Sequence, residues 1–198
     1  MSKVRIQVLQ AKVSAFRYEA GCDEAGRGCL AGPVTAAAVI LPEGFQLSGL
    51  TDSKQVSENM RKTLRVYIEE HAIGWQVAHV WPEDIDRLNI LKASIWAMHK
   101  ALDGLVPAAE FIAVDGNRFV PYGFTPHRCE IKGDARFLHI AAASILAKTH
   151  RDDLMHTLHL EHPQYGWQQN KGYPTEAHRA ALREFGASPY HRKSFKWT

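Results

Sequence analysis

Acidic residues at the ends of apolar segments are the residues in this sequence best suited to chemistry. Asp23 and Glu24 are adjacent and precede a glycine-rich turn, and Asp115 follows the apolar segment 111–114. Neighbouring strand side chains point to opposite faces, so both Asp23 and Glu24 can reach one site only if the chain bends, which the glycines allow. Ligands of open α/β sheets gather at the carboxyl ends of strands, where Asp115 is expected. Taken singly, each acid could equally be a structural turn residue.

Two further acids lie later in the chain. Asp134 follows a glycine, and Asp152 lies on a predicted long helix. On that helix Ser144, Lys148 and Asp152 recur every four residues, so they share one face. A polar stripe on a helix otherwise rich in Ala, Ile and Leu indicates either a site or an exposed face. Because a helix fixes the direction of Asp152 and a glycine frees Asp134, we expect Asp152 to complete the acidic cluster more than Asp134.

The types of these residues indicate the kind of metal they would bind. The sequence contains neither a C-x-x-C pair nor an H-E-x-x-H pattern, which argues against a zinc site. Carboxylates from separate segments are typical ligands of Mg²⁺ or Mn²⁺, which bind together with phosphate oxygens of a substrate. Two such ions can activate a water and stabilise the leaving oxygen of a phosphodiester.

A rival motif overlaps the first acidic segment. Residues 26–31 read GRGCLA, which matches the G-x-G-x-x-A dinucleotide fingerprint. That fingerprint must open a helix, whereas residues 34–41 form a Val/Ala/Ile run typical of a strand. Two carboxylates directly before the loop would also repel a pyrophosphate. We therefore reject a nucleotide-cofactor oxidoreductase.

Composition limits the class of protein. The chain has 198 residues, a net charge of +3 and 45% hydrophobic residues, which fits one globular domain that can bury a core. No apolar run reaches the ~18 residues that a membrane helix needs, so we expect no membrane association. The three cysteines form no disulfide framework, so we expect a cytoplasmic protein. A basic carboxyl-terminal segment fits contact with a polyanion.

Periodicity and capping signals indicate the elements that must position these acids. A hairpin of two strands is followed by alternating strands and helices, which predicts one α/β domain on a mixed sheet. The predicted strands are residues 4–8, 18–23, 34–41, 73–81 and 111–114. The predicted helices are residues 58–70, capped by Ser57, and residues 89–102, 137–159 and 175–185.

Together these segments resemble the ribonuclease HII family. The resemblance is collinear over about residues 20–195. It rests on the following stretches: CDEAGRG (22–28), LAGPV (30–34), DSK (52–54), DGN (115–117), KGD (132–134), AAASILAK (141–148), RD (151–152), PQYG (163–166), KGYPT (171–175) and HRKSF (191–195).

The resemblance implies an RNase H-like α/β fold, with a central mixed sheet flanked by helices and a helical carboxyl-terminal part. Residues 18–198 would be a single catalytic domain, and residues 1–17 an extension of unknown role. The implied activity is Mg²⁺- or Mn²⁺-dependent hydrolysis of the RNA strand in RNA–DNA hybrids. It includes cleavage 5′ of a ribonucleotide embedded in duplex DNA, which leaves 3′-hydroxyl and 5′-phosphate ends, as in ribonucleotide excision repair.

The resemblance also implies roles for particular residues. Asp23, Glu24 and Asp115 would bind the metal, with Asp152 and Asp134 as the remaining acidic positions. The backbone of the loop Gly26, Arg27 and Gly28 would read the ribose 2′-hydroxyl, the group that separates RNA from DNA. Tyr173 would stack on the sugar that follows the ribonucleotide and so select an RNA-to-DNA junction. The implied phosphate contacts are Lys54, Lys148 and Arg192.

One departure from the family pattern touches the loop, because Cys29 stands where the family usually has proline. No departure removes a proposed ligand. A catalytically inactive nucleic-acid binder on the same fold is the alternative, although a binder has no reason to keep bare carboxylates beside phosphate. We expect a monomer whose partners are RNA–DNA hybrid and ribonucleotide-containing duplex DNA.

Overall fold

One mixed sheet lies at the centre of the protein. The computed structural model describes residues 9–46 and 57–197. In this part of the chain the strands are β1 (Glu19–Ala25), β2 (Val34–Ile40), β3 (Gly74–Val80), β4 (Phe111–Asp115) and β5 (His127–Glu130). Their order is β3-β2-β1-β4-β5. Strands β1, β2 and β3 pair antiparallel, whereas β4 runs parallel to both β1 and β5. The predicted hairpin and the α/β mixed sheet are confirmed.

Helices follow the predicted pattern with two additions. Ser57 caps the first helix by accepting from the Met60 amide, and Thr175 caps the last by accepting from the His178 amide. Ser57 was predicted as a cap, and Thr175 was predicted as the start of the last helix. The two short helices at Pro82–Leu88 and Trp167–Asn170 were not predicted. The helices are α1 (Glu58–His71), α2 (Pro82–Leu88), α3 (Ile90–Asp103), α4 (Leu138–Glu161), α5 (Trp167–Asn170) and α6 (Glu176–Phe185).

Strand β2 is buried along its whole length because helices cover both of its faces. Its alternate residues divide between two apolar clusters, as the two-residue period of a strand requires. Ala36 and Ala38 pack toward α3, in a cluster that includes Met98. Ala37 and Val39 pack toward α1 and α4 on the other face. The polar ends of the strands are therefore the part of the sheet open to a ligand.

The amino-terminal end of α4 crosses β1 at very short range. A Cβ placed on Gly21 would lie 2.3 Å from the backbone carbonyl carbon of His139, so only glycine fits there. This close approach sets α4 against the strand that carries the first two acids. It brings the polar face of α4 beside the carboxyl end of β1.

A helical carboxyl-terminal part packs on the far end of α4. Met155 and Leu158 of α4 share an apolar cluster with Leu30, Trp167 and Leu182. The cluster joins α5 and α6 to the segment that follows β1. The described residues include no helix long and apolar enough to cross a membrane.

Residues 9–17 contact the domain directly. The Gln10 amide donates to the Arg136 carbonyl at 2.8 Å, next to the start of α4. The buried Glu19 carboxylate accepts from the amides of Val13 and Ser14 at 2.6 and 2.7 Å. These residues therefore form part of the packed structure. The predicted strand at residues 4–8 lies outside the described residues.

Candidate active site

A cavity of about 420 Å³ opens at the carboxyl ends of β1 and β4. Because these two strands are neighbouring and parallel, their terminal acids meet at the same edge of the sheet. Four acids from three segments reach this cavity, and we call them the acidic cluster. Its members are Asp23, Glu24, Asp115 and Asp134.

Asp23 and Glu24 reach the cavity from opposite faces of β1. Asp23 lies on the α4 side, where its carboxylate is hydrogen-bonded to the Ser144 side chain. Glu24 lies on the α3 side and also lines a second, smaller cavity of about 60 Å³ with Ser94. Both acids reach the large cavity because it lies beyond the end of the strand, where Gly26 turns the chain with a φ of +89°. The predicted bend is therefore present.

Asp115 and Asp134 are held together by a short turn. The Asp115 Oδ1 atom accepts from the amide of Gly133 at 2.7 Å. Gly133 opens the 3₁₀ turn Gly133–Ala135, and a Cβ there would lie 2.7 Å from the Ile140 side chain. The turn carries Asp134, which is buried, to the wall of the cavity.

Asp152 occupies a different position from the one expected. Lys148 Nζ donates to both carboxylate oxygens of Asp152, one helical turn away on α4. Lys148 and Ser144 line the cavity, but Asp152 does not. Two of the three residues of the polar stripe on α4, Ser144 and Lys148, thus line the cavity. The acid of this later pair that faces the cavity is Asp134.

Burial and mutual repulsion make the acidic cluster electrostatically strained. Burial raises the pKa of Asp23 well above its usual 3.8, and the nearby charges of Glu24 and Asp115 raise it further. Burial also raises the pKa of Glu24, although the Arg27 guanidinium, 2.9 Å from its carboxylate, opposes that effect. A bound cation would relieve this repulsion.

The donor set of the acidic cluster fits a hard divalent cation. Its carboxylate oxygens are the ligands that Mg²⁺ and Mn²⁺ prefer. Within residues 9–46 and 57–197, no three acidic, imidazole or thiol groups already surround a single point. Instead, Asp115 accepts from a backbone amide and Glu24 pairs with Arg27. Rotation of these side chains into the cavity would bring their oxygens toward a shared ion.

Two buried arginines hold the loop that borders the cavity, and we call them the arginine support. The loop, residues 26–33, is here called the glycine loop. Arg151 donates to the carbonyls of Pro33, Ala31 and Lys171 at 2.9, 3.0 and 2.8 Å. A Cβ on Gly26 would lie 2.0 Å from the Arg151 Nε atom, so the loop lies directly on the guanidinium.

Arg192, predicted as a phosphate contact, lies beneath the loop and not in the cavity. Its side chain is fully buried and donates to the carbonyls of Gly26, Arg27 and Gly32 at 2.7, 2.9 and 2.9 Å. Burial lowers the pKa of Arg192 to about 10. A guanidinium committed to three backbone carbonyls has no surface for a phosphate. Its placement corrects the predicted role to that of supporting the loop.

Tyr173 contributes its side chain to the wall of the cavity. Its side chain is partly exposed, at 39%, and it lines the cavity with Gly26, Arg27 and Gly28 of the glycine loop. The turn that presents it needs glycine, because Gly172 has a φ of +83° and its Cβ would lie 2.5 Å from the Ala31 carbonyl oxygen. The Leu30 amide donates to the Gly172 carbonyl at 2.7 Å. The Tyr173 turn and the glycine loop are thus one connected surface.

The remaining predicted phosphate contacts differ in position. Lys148 lines the cavity, whereas Lys54 lies outside the described residues. Arg61 of α1 also lines the cavity and was not predicted. It lies in the first half of an exposed helix, where an arginine has no distinguishing sequence signal.

Comparison with known proteins agrees with this architecture. A mixed sheet with acids at the ends of adjoining strands defines an α/β protein of the RNase H-like fold. The family model of ribonuclease HII matches residues 20–198, so the chain belongs to the ribonuclease HII family. It is 60% identical over 179 residues to the ribonuclease HII of Parabacteroides distasonis, which covers 90% of either chain.

Solved structures show the same fold. The RNase HII in a PCNA:RNase HII complex from Archaeoglobus fulgidus matches with a TM-score of 0.78 and 26% identity, covering 90% of this chain and 95% of that one. Bst-RNase HIII in complex with Mn²⁺ matches with a TM-score of 0.65 and 19% identity, covering 92% of this chain and 64% of that one. The family and fold establish the chain as a ribonuclease H, a nuclease of the hydrolase class.

Proposed function

We propose that this ribonuclease H cleaves the RNA strand of RNA–DNA hybrids and cuts 5′ of single ribonucleotides embedded in duplex DNA. The observation that carries the proposal is one cavity that joins the acidic cluster, the glycine loop and the ring of Tyr173. Acids suit metal-dependent hydrolysis, a glycine backbone suits close approach to a sugar, and an aromatic ring suits stacking. All three features come from one chain, which supports a monomer, and the bacterial relatives support an enzyme of the cytoplasm.

We propose that Asp23, Glu24, Asp115 and Asp134 hold Mg²⁺ or Mn²⁺. A structure of Bst-RNase HIII with Mn²⁺ supports a divalent ion in this fold. Two ions bound there would activate the attacking water and stabilise the leaving oxygen. Water then becomes part of a 5′-phosphate, and the phosphorus–O3′ bond breaks to leave a 3′-hydroxyl. The protein's contribution is to present the four carboxylates at one edge of a rigid sheet.

We propose that the glycine loop recognises the ribose 2′-hydroxyl through its backbone. Arg192 engages the carbonyls of Gly26 and Arg27 from below, so that side of the loop is held by the protein. The opposite side, including Gly28, lines the cavity. A Cβ on Gly28 would meet no atom within 4 Å, which leaves open space for a sugar. Lys148, on the α4 wall of the same cavity, would contact a phosphate.

Gly28 offers a test of this recognition. Gly28→Ala should fold normally, because its Cβ meets nothing in the free protein, yet it should slow cleavage by roughly tenfold if a sugar approaches the backbone there. Gly26→Ala is the contrasting variant, since its Cβ would clash with Arg151 and should lower the melting temperature. Full activity of a well-folded Gly28→Ala protein would contradict close approach at this position.

The function as a whole is tested with a duplex that carries one ribonucleotide, incubated with Mg²⁺ or with a chelator. Cleavage 5′ of the ribonucleotide, only with the metal, is the expected result. Retention of the duplex without cleavage would identify a binder instead. Cleavage of a continuous RNA strand alone would restrict the proposal to hybrid hydrolysis.

A further inference from the structure

Tyr173 has neighbours that can fix its position at its backbone and at its phenol. At the backbone end, the Tyr173 carbonyl accepts from a buried histidine, His178, with 2.9 Å between oxygen and Nδ1. At the other end, the phenol lies close to the Cys29 side chain of the glycine loop; burial raises the pKa of Tyr173, and the neighbouring thiol raises it further. A ring placed only to cover apolar surface would need neither contact.

The hydrogen-bond network around His178 fixes which of its nitrogens carries the proton. The Trp167 indole donates to His178 Nε2 at 3.0 Å, so Nε2 is the acceptor. His178 Nδ1 must then carry the hydrogen and donate to the Tyr173 carbonyl. The imidazole thus connects a buried tryptophan of the carboxyl-terminal part with the turn that presents Tyr173.

A second buried histidine supports this orientation. His191 Nδ1 accepts from the Ser188 amide at 3.0 Å, so its hydrogen lies on Nε2 and points to His178 Nε2, 3.1 Å away. His178 Nε2 is then an acceptor that the Trp167 indole and His191 Nε2 share. Burial lowers the pKa of His178, and burial with the neighbouring His178 lowers the pKa of His191 to about 4, in agreement with two neutral rings.

The phenol of Tyr173 has the Cys29 thiol as its neighbour in the glycine loop. The Cys29 thiol is buried and donates to the Lys171 carbonyl, with 3.6 Å between sulfur and oxygen. With its hydrogen directed to that carbonyl, the sulfur can accept from the nearby Tyr173 hydroxyl. Because Cys29 belongs to the glycine loop, this contact ties the position of the aromatic ring to the loop that borders the cavity.

We propose that His178 and Cys29 are positioning residues for Tyr173, which together preset its ring for an RNA-to-DNA junction. This inference rests on the proposed function, together with the role that the family resemblance implies for Tyr173, which is to stack on the sugar at that junction. A ring fixed before the substrate arrives loses less conformational freedom on binding. Releasing either end should therefore reduce selectivity for a single ribonucleotide more than it reduces cleavage of a continuous RNA strand.

Two substitutions of His178 separate positioning from folding. In His178→Gln, the amide oxygen can replace Nε2 as acceptor for Trp167, but no donor remains for the Tyr173 carbonyl. In His178→Asn, the amide nitrogen can replace Nδ1 as that donor, but the indole loses its acceptor. We expect His178→Gln to keep most of the melting temperature and lose selectivity, and His178→Asn to show the reverse.

The readout is the ratio of kcat/KM on a single-ribonucleotide duplex to kcat/KM on a continuous RNA–DNA hybrid, measured well below the melting temperature. Tyr173→Ala should lower this ratio by roughly tenfold or more. It gives the lowest value expected of any variant, with which the others are compared. His178→Gln should lower it by roughly threefold to tenfold, the equivalent of one hydrogen bond. A ratio that falls only in step with the melting temperature would make His178 purely structural.

The contact of Cys29 is tested by a double-mutant cycle with the phenol. Cys29→Ala and Tyr173→Phe should each lower the ratio by a few fold, and the double variant should lose no more than either alone. Cys29→Ser, which keeps an acceptor for the phenol, should restore most of the ratio. Additive losses would show that the thiol and the phenol act independently and would overturn the role of Cys29.

The controls separate this inference from the proposed function. If the unmodified protein does not cut a single-ribonucleotide duplex, or if Tyr173→Ala leaves the ratio unchanged, the proposed function fails at that point. If Tyr173→Ala lowers the ratio while His178→Gln and Cys29→Ala leave it unchanged, the proposed function stands and the positioning inference is wrong.

Discussion

The acidic cluster and the arginine support lie on either side of the same loop, but they hold their charges in opposite ways. Burial raises the free-energy cost of ionising both Asp23 and Glu24. The charges of Glu24 and Asp115 add to that cost at Asp23, and the charge of Asp115 adds to it at Glu24. The guanidinium groups of Arg151 and Arg192 are buried as well, yet each donates to at least three backbone carbonyls.

The difference shows which part of the site stabilises the fold and which part is stabilised by its ligand. A buried charge is tolerated where hydrogen bonds satisfy it, and is costly where they do not. The arginine support should therefore contribute to the stability of the free protein. The acidic cluster should detract from that stability until a cation binds. Substitutions that remove a charge from the acidic cluster should therefore lower activity without lowering stability. Substitutions in the arginine support should instead lower the free energy of unfolding.

The largest effect is expected from Asp115→Asn. The amide keeps the shape of the side chain and can still accept from the Gly133 amide, but it loses the charge that would hold a cation. Mg²⁺-dependent cleavage should fall by about 100-fold to 1,000-fold, as for loss of one key electrostatic group in an active site. The melting temperature in chelator should not fall, because a repelling charge is removed, and hybrid binding in chelator should hardly change. Asp153→Asn, at an exposed acid of α4, is the control, and near-normal turnover of Asp115→Asn would remove Asp115 from the site.

The arginine support should show the opposite response. Arg192→Lys keeps a positive charge but cannot donate to three carbonyls at once. Losing these buried hydrogen bonds should cost about 3 kcal/mol of unfolding free energy, and lower the melting temperature by about 6–12 °C for a chain of this size. The control is Arg183→Lys, on the exposed face of α6. An unchanged melting temperature of Arg192→Lys would show that the loop does not depend on the guanidinium.

The role of Arg192 also illustrates what the sequence could not predict about the site. The acids were predicted because they follow apolar strands, and this local pattern is sufficient to place Asp23 and Asp115 at a sheet edge. The burial of Arg192 results instead from a bridge between Ala31 and His191, which are far apart in the chain. No local pattern distinguishes an arginine beneath a loop from one that faces a phosphate.

The elements of the fold likewise divide into those that have a local sequence signal and those that do not. Long elements with capping residues, such as α1 after Ser57, were predicted to within a residue or two. Strand β5 was missed because its four residues are mostly polar and it pairs in parallel with β4. Helix α2 was missed because Trp81 at its start provides no side-chain cap, although Pro82 followed by acids was a usable signal.

Comparing Asp134→Asn with Asp152→Asn will show which of these two acids belongs to the acidic cluster. Asp134 lines the cavity, whereas Asp152 is paired with Lys148. Although the helix suggested Asp152 as the fourth acid, this placement leads us to expect the larger loss for Asp134→Asn, by roughly tenfold relative to Asp152→Asn. Cleavage rates at saturating Mg²⁺ and melting temperatures in chelator are the measurements. If Asp152→Asn cleaves more slowly than Asp134→Asn while its melting temperature is normal, Asp152 and not Asp134 is the fourth acid of the metal site.

A smaller effect is expected on the stability of the protein without metal. Asp23→Asn removes one of the repelling charges and can still accept a hydrogen bond from Ser144. In chelator near pH 7, this variant should melt about 2–4 °C above the unmodified protein, the equivalent of about 1 kcal/mol. Added Mg²⁺ should raise the melting temperature of the unmodified protein more than that of the variant. Asp153→Asn is again the control, and a lower melting temperature of Asp23→Asn in chelator would show that the Asp23 charge stabilises the fold.

The pH dependence of that difference gives the finest test of the comparison. A carboxyl whose folded pKa is raised destabilises the folded state when it is ionised, so its cost is fully present above the raised pKa. As the pH falls through that value toward the usual 3.8, Asp23 takes up a proton in the folded state and the cost disappears. The melting advantage of Asp23→Asn in chelator should therefore be largest at neutral pH and shrink steadily as the pH is lowered toward 4. An advantage that stays constant over this range would mean that shape and not charge separates the two proteins, and the acidic cluster would then be no more strained than the arginine support.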